Sequence, residues 1–247
     1  MSKFSPSPAI SVVVPVYNEA ENVEKLVGEI AAAFAGKTAY EMIFVNDCSA
    51  DDTLAVLQGL KDIYPALRVL SHRANSGQSR SVRTGILAAL APVIGTLDGD
   101  GQNDPADLPA MYAQLTRPDA PESLQLVGGR RVKRIDSAAK KMASKLGNGI
   151  RKRLLKDKAD DTGCGIKVFG RDAFLRLPYF DHIHRYIPAL MLREGYTAEF
   201  KDVNHRSREF GVSKYTNFGR LIVSIADLRG VMWLNKRSRN PNGWDEV

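Results

Sequence analysis

The chain reads as an α/β protein built on a doubly wound, mostly parallel β-sheet, and three observations point there. Short β-branched runs alternate with segments whose apolar residues recur at helical spacing, the pattern of repeated strand-helix units. The runs carry apolar residues on both faces, as strands buried beneath helices must. Over 247 residues the composition is that of an ordinary globular domain, 44% hydrophobic and 26% charged, enough for one sizeable core.

The first strand is Ile10-Ser11-Val12-Val13-Val14-Pro15-Val16. It stops at Tyr17-Asn18-Glu19, where Asn18 is expected to cap a helix carrying Val23, Leu26, Val27, Ile30 and Phe34 on one face. Glu19, Glu21 and Glu24 in its early turns suit the positive end of the helix dipole. Met42-Ile43-Phe44-Val45 makes the second strand and ends in Asn46-Asp47-Cys48-Ser49, after which Asp51 or Asp52 opens a helix through Leu54, Leu57 and Leu60. Leu67 to Leu70 is the third strand. Asn75-Ser76-Gly77-Gln78 then opens a helix through Val82, Ile86, Leu87 and Leu90, which leads into a short strand at Pro92-Val93-Ile94-Gly95. Leu124 to Gly129, Ile166 to Phe169 and Tyr196 to Val203 read as further strands, with a helix near Ile187 to Arg193. Ala139, Met142, Ala143, Leu146, Ile150 and Leu154 line one side of a basic amphipathic helix, and Phe218, Leu221, Ile222, Ile225, Leu228, Met232 and Trp233 line another near the tail. No repeat, low-complexity tract or linker interrupts the chain.

The chemistry centres on Thr96-Leu97-Asp98-Gly99-Asp100-Gly101-Gln102-Asn103-Asp104-Pro105, just after the fourth strand. Ligands bind an open α/β sheet at the carboxyl ends of its strands, and alternating glycines let the backbone turn sharply and approach closely. Asp98, Asp100 and the Gln102 carbonyl are hard oxygen ligands, suited to Mg²⁺ or Mn²⁺ bridging phosphates. With Glu19 after the first strand and Asp47 after the second, carboxylates gather on one edge, an arrangement that suits a nucleoside diphosphate. The formal charge of +7 points to an anionic partner. Cys48 and Cys164 lack metal or disulfide spacing and are expected to be reduced thiols. With no apolar leader and no apolar run long enough to cross a bilayer, the protein is expected to be neither secreted nor membrane-spanning.

In combination, Val14-Pro15-Val16-Tyr17-Asn18-Glu19, Val45-Asn46-Asp47-Cys48-Ser49-Ala50-Asp51 and Leu97-Asp98-Gly99-Asp100-Gly101-Gln102 resemble family 2 GT-A glycosyltransferases of the polyprenyl-phosphate (dolichyl-phosphate) mannosyltransferase-like branch. Asp161-Thr162-Gly163-Cys164-Gly165-Ile166-Lys167 resembles that branch's Asp-x-x-Gly-x-Lys segment. Arg206 to Tyr215 resembles its Arg-x-x-Gly-x-Ser-Lys loop, which closes over the sugar nucleotide. The resemblance implies a single GT-A domain over 1–247: a nucleotide-sugar-binding half at 10–115, an acceptor half at 124–215 and an amphipathic segment at 216–240. It assigns the nucleotide to Pro15, Tyr17, Glu19, Asp47, Asp98 and Lys214, and the metal, Mg²⁺ or Mn²⁺, to Asp98, Asp100 and Gln102. The acceptor phosphate falls to Arg130, Arg131, Arg134 and Ser137, and catalysis to Asp100, Arg206 and Asp161.

The implied reaction moves a sugar with inversion from a GDP- or UDP-sugar to a polyprenyl phosphate. A phosphate monoester, with a second pKa of about 6, needs no strong general base, and no convincing Glu-Asp base motif appears later in the chain. A hydroxyl acceptor on a polysaccharide or lipid is the alternative within the family. A non-catalytic basic protein binding nucleic acid or acidic lipid is the alternative outside it; nucleic acid is disfavoured because no aromatic residues interleave the basic run between Arg130 and Lys158. The lipid acceptor and the basic helix imply peripheral attachment to the cytoplasmic face of a membrane, directly or through an integral-membrane partner. His182 and His184, at i and i+2 with no further ligands, read as loop residues and not as a metal pair.

Overall fold

A computed structural model describes residues 7–132, 149, 151–157, 159, 161–207 and 217–239, with the backbone alone for 217–222. The expected basic helix lies mostly outside these residues, as do Arg134, Ser137 and Lys214.

The order is β1 (Ile10–Val16), α1 (Ala20–Phe34), β2 (Tyr40–Asn46), α2 (Thr53–Leu60), β3 (Leu67–Ser71), α3 (Gln78–Ala88), β4 (Val93–Thr96), α4 (Leu108–Leu115) and β5 (Leu124–Arg131). There follow β6 (Lys167–Gly170), α5 (Arg171–Leu175), α6 (Ile187–Arg193), β7 (Thr197–Val203) and α7 (Asn217–Arg237). The strands form one sheet in the order β3-β2-β1-β4-β6-β5-β7. β1 pairs in parallel with β2 and β4, and β2 with β3, while β6 runs antiparallel to both β4 and β5. The doubly wound, mostly parallel sheet expected from sequence is therefore present, with one reversed strand.

Period-2 alternation splits β1 between two cores. Val12, Val14 and Val16 face the side covered by α1, with Val23, Leu26, Val27 and Ile30. Val13 faces the opposite side with Ile43, Val45, Val82 and Ile86, where residues of α3, α5 and α6 cover the sheet. At the sheet's other end, Ser11 and Glu41 are buried in a polar network. Ser11 Oγ donates to Glu41 Oε1 at 2.6 Å, Leu90 N donates to the same oxygen at 2.7 Å, and Arg68 pairs with Oε2 at 2.5 Å.

Chain direction reverses its winding between β1 and β4, so the loops after these two strands diverge and open a crevice. The metal-candidate loop lies there.

One local expectation is corrected. Asn18 does not cap α1: it adopts φ 52°, and its side-chain oxygen accepts from Ala50 N at 2.8 Å. Asp51 takes over that work. Its carboxylate accepts from Ala20 N at 3.2 Å and Thr53 N at 3.1 Å, while Thr53 Oγ1 accepts from Glu19 N at 2.9 Å. One side chain thus ties the starts of α1 and α2 together and fixes the loop holding Tyr17 and Glu19.

Candidate active site

The loop after β4 is built by close approach. Gly101 takes φ +70°, and a side-chain carbon on Gly99 would stand 2.8 Å from the Pro15 carbonyl and 2.7 Å from Val16. The loop is thereby pressed onto the end of β1. Asn103 Oδ1 accepts from Asp98 N at 3.1 Å, and Asp100 Oδ1 from Gln102 N at 3.1 Å.

Asp98 retains a little solvent access but sits among densely packed protein atoms. Burial and the adjacent Asp100 charge push its carboxyl up to about 6, against the opposing influence of Lys167, Arg131 and a hydrogen bond from Gln78. Gln78 Nε2, at the start of α3, donates to Asp98 Oδ1 at 2.7 Å. On its other side the carboxylate lies so close to Gly165 that a side-chain carbon there would stand 2.2 Å from Oδ2. The donor set fits a divalent cation: two hard carboxylates repel each other, and a cation would relieve that repulsion. Among the described residues no group of three acidic, histidine or cysteine side chains converges, so the remaining ligands must come from Gln102, water or a bound phosphate.

Lys167 on β6 is buried and donates to the Cys164 carbonyl; burial lowers its pKa, with Asp98 and Asp161 opposing. Asp161, at the start of the same segment, holds Arg131 in a bidentate pair, Nε to Oδ2 at 2.6 Å and Nη2 to Oδ1 at 2.7 Å. Arg130 points elsewhere and pairs with Asp202 at 2.6 Å.

Arg206 reaches the site from the segment after β7. Asn103 and His205 form an isolated β-bridge, and Arg206 N donates to Gln102 O at 2.9 Å, so this segment is zipped to the metal-candidate loop. The guanidinium pairs with Glu29 through two contacts of 2.8 Å and with Asp104 at 2.9 Å. It lines a small cavity with Asn22, Lys25, Glu29, Asp100 and Gly101.

Of the expected nucleotide residues, Tyr17 is exposed at the crevice and Pro15 is partly so. Glu19 Oε2 accepts from Asn22 Nδ2 at 2.7 Å. Asp47 is buried and turned toward the loop before α3, accepting from Ser76 N at 2.9 Å and Gly77 N at 2.8 Å, with His72 Nδ1 at 2.7 Å. Sequence reasoning missed His72, Glu29 and the contact role of Gln78. Only Gln78 left a signal, standing at a helix start on the same sheet edge as Asp98. His182 and His184 are not joined in a metal pair: His182 pairs with Asp227 at 3.1 Å, and His184 Nδ1 lies 2.8 Å from Ser79 Oγ.

A carboxylate pair at the crevice of a doubly wound sheet, with an arginine zipped to the same loop, is an arrangement that suits a divalent cation and a nucleoside diphosphate. Known proteins agree with that geometry and narrow it. The chain belongs to glycosyl transferase family 2, whose model matches residues 11–177. Among curated proteins it is 34% identical to a dodecaprenyl-phosphate galacturonate synthase of Rhizobium johnstonii, over 94% of this chain and 69% of that one. It is 33% identical to an undecaprenyl-phosphate 4-deoxy-4-formamido-L-arabinose transferase of Klebsiella pneumoniae, over 92% and 68%. In fold it is similar to a glucosyl-3-phosphoglycerate synthase of Mycobacterium tuberculosis solved with Mn²⁺, UDP and glucosyl-3-phosphoglycerate. That likeness has a TM-score of 0.68 at 15% identity and covers 95% of this chain and 82% of that one. A mannosyltransferase of Pyrobaculum calidifontis in complex with GDP-Man and Mn²⁺ gives a TM-score of 0.65 at 18% identity, covering 96% and 67%.

Proposed function

We propose that this glycosyltransferase moves a sugar from a nucleotide-sugar to a polyprenyl phosphate, with inversion, at the cytoplasmic face of a membrane. The observation that carries the reading is the likeness to a dodecaprenyl-phosphate galacturonate synthase along 94% of the chain.

In this reading Pro15, Tyr17, Glu19, Asp47 and Lys214 frame the nucleotide, and Asp98, Asp100 and Gln102 would hold Mg²⁺ or Mn²⁺. The bound cation supplies charge neutralisation for the departing nucleoside diphosphate. Gln78 donates to Asp98 Oδ1 and holds that carboxylate in place. Arg206, held beside the acidic loop by Glu29 and Asp104, adds a positive charge where negative charge develops on the diphosphate. Arg131, Arg134 and Ser137 receive the acceptor phosphate, with Asp161 fixing the Arg131 fork, while Arg130, expected to join them, is engaged by Asp202. An acceptor oxygen forms the new bond to the anomeric carbon as the bond from that carbon to the diphosphate breaks. The phosphate is already ionised near neutral pH, so no side chain need take a proton from it.

Peripheral membrane seating is supported by the +7 charge and by Val223, Ile225 and Trp233, exposed on α7, where Arg237 lies 5.8 Å from the Trp233 ring. No helix among the described residues is long and apolar enough to cross a membrane. An integral-membrane partner would serve the same end.

The acceptor class is tested by offering the enzyme undecaprenyl phosphate and undecaprenol side by side with labelled UDP- and GDP-sugars. Label confined to the phosphate is the expected result. Label on the free alcohol would move the assignment to hydroxyl acceptors.

A further inference from the structure

Arg80 and Arg83 stand three residues apart on α3, on one face of the helix. Both guanidiniums sit over the ring of Tyr179, at 4.0 and 5.1 Å from its centroid. A single aromatic face compensates a cation only in part, and two like charges on one ring repel. Neither arginine is paired with a carboxylate among the described residues, and Arg83 Nη1 is buried with no hydrogen-bond partner. A buried charged donor left unsatisfied is costly, and native structures rarely keep one without a reason. The Asp181 carboxylate lies near Tyr179 and, after burial, helps to raise the tyrosine's pKa against Arg80 and Arg83.

The structure assigns to Arg80, Arg83 and Tyr179 a second anion site, one that takes a phosphate oxyanion and is distinct from the carboxylate crevice. Guanidinium forks match phosphate oxygens two at a time, and a dianion shared between two forks removes their repulsion and satisfies the buried Arg83 donor. The site is held firmly. The segment after Tyr179 is joined to α3 through the 2.8 Å contact between His184 and Ser79, and α3 is joined to the crevice through Gln78 and Asp98. Arg80 and Arg83 thus share a helix with Gln78, whose amide holds Asp98. The same chemistry is offered by a phospholipid headgroup and by free phosphate, and experiment separates the two.

The full chain is studied in EDTA, to silence the metal site, by following arginine side-chain Nε–Hε resonances during titration with inorganic phosphate. The Arg80 and Arg83 signals, identified by their loss in R80K and R83K, are expected to shift in a saturable way. In parallel, sedimentation with phosphatidylglycerol vesicles is compared with phosphatidylcholine vesicles for wild type, R80A, R83A and R73A. If the native ligand is a headgroup, binding to the anionic vesicles falls about fivefold for each of R80A and R83A and little for the exposed Arg73 control. If it is free phosphate, the resonances shift while vesicle binding is unchanged. Mn²⁺ binding and the melting temperature, unchanged in the variants, certify the fold. Phosphate that leaves both resonances in place, or vesicle binding that falls equally in R73A, overturns the site.

Discussion

Single atoms decide whether this site works, and the carboxyl of Asp98 is the clearest case. Its folded-state pKa of about 6 exceeds its ordinary 3.8, so the group favours the metal-free fold most when protonated. That contribution is fully present below about pH 4 and is lost as pH rises through about 6, up to about 3 kcal/mol in all. Asp98→Asn removes the loss. In EDTA at pH 7.5 the variant is expected to melt several degrees above wild type while losing transferase activity; a lower melting temperature would refute the buried-charge account. Gly165 offers the complementary test. A methyl at that position would overlap Asp98 Oδ2, so Gly165→Ala is expected to displace the carboxylate and weaken Mn²⁺ binding at least tenfold in calorimetry, with unaltered far-ultraviolet circular dichroism. Unchanged affinity would mean that Asp98 is not held where we place it. The thiols differ as sharply. Burial pushes Cys164 up to about 11, whereas Cys48 is exposed, so a thiol reagent at pH 8 should label one cysteine in the native protein and two after denaturation. At this scale the sequence offered Asp98, Asp100, Arg131, Asp161 and Arg206 as candidates but did not join Arg206 to Glu29 or Arg131 to Asp161. Arg206 and Glu29 are 177 residues apart, and Arg131 and Asp161 are 30 apart, so no local pattern joins them.

Among the elements, the strands were the most legible, because a β-branched run between two polar turns has few other ways to bury itself. Ile10–Val16 matches its expected bounds. The direction of β6 was not legible: Lys167–Gly170 is buried on both faces, and such a strand reads the same whether parallel or reversed. The five-residue helix Arg171–Leu175 was missed because it is too short to display a period. Asn18 misled for another reason. Its side chain can cap a helix or stabilise a left-handed turn, and the neighbouring Asp51 decided the matter by supplying the helix starts with an acceptor. Asp51→Ala is therefore expected to cost about 1–2 kcal/mol and to speed amide exchange at Ala20 and Thr53 together. Faster exchange at only one of them would show that the two helices are not coupled through this residue.

The whole molecule places its chemistry by topology. Parallel strands β1, β2 and β4 send their loops to one edge, the reversal of winding between β1 and β4 opens that edge, and Gly99 lets the acidic loop settle onto β1. The later segments then close around it: Lys167 from below, Arg131 with Asp161 at the side, and Arg206 across the loop. This convergence explains why the motifs carried meaning only in combination, since each is a common turn until the sheet brings them together. The central claim, that the Asp98 and Asp100 pair drives sugar transfer to a polyprenyl phosphate, meets its most direct test in one assay. Labelled sugar from a panel of UDP- and GDP-sugars is followed into the organic-extractable fraction with undecaprenyl phosphate, with and without Mg²⁺ or Mn²⁺, for wild type and Asp100→Ala. The account predicts label from one donor that requires the metal and falls at least a hundredfold in the variant. Transfer that persists undiminished in Asp100→Ala would contradict it.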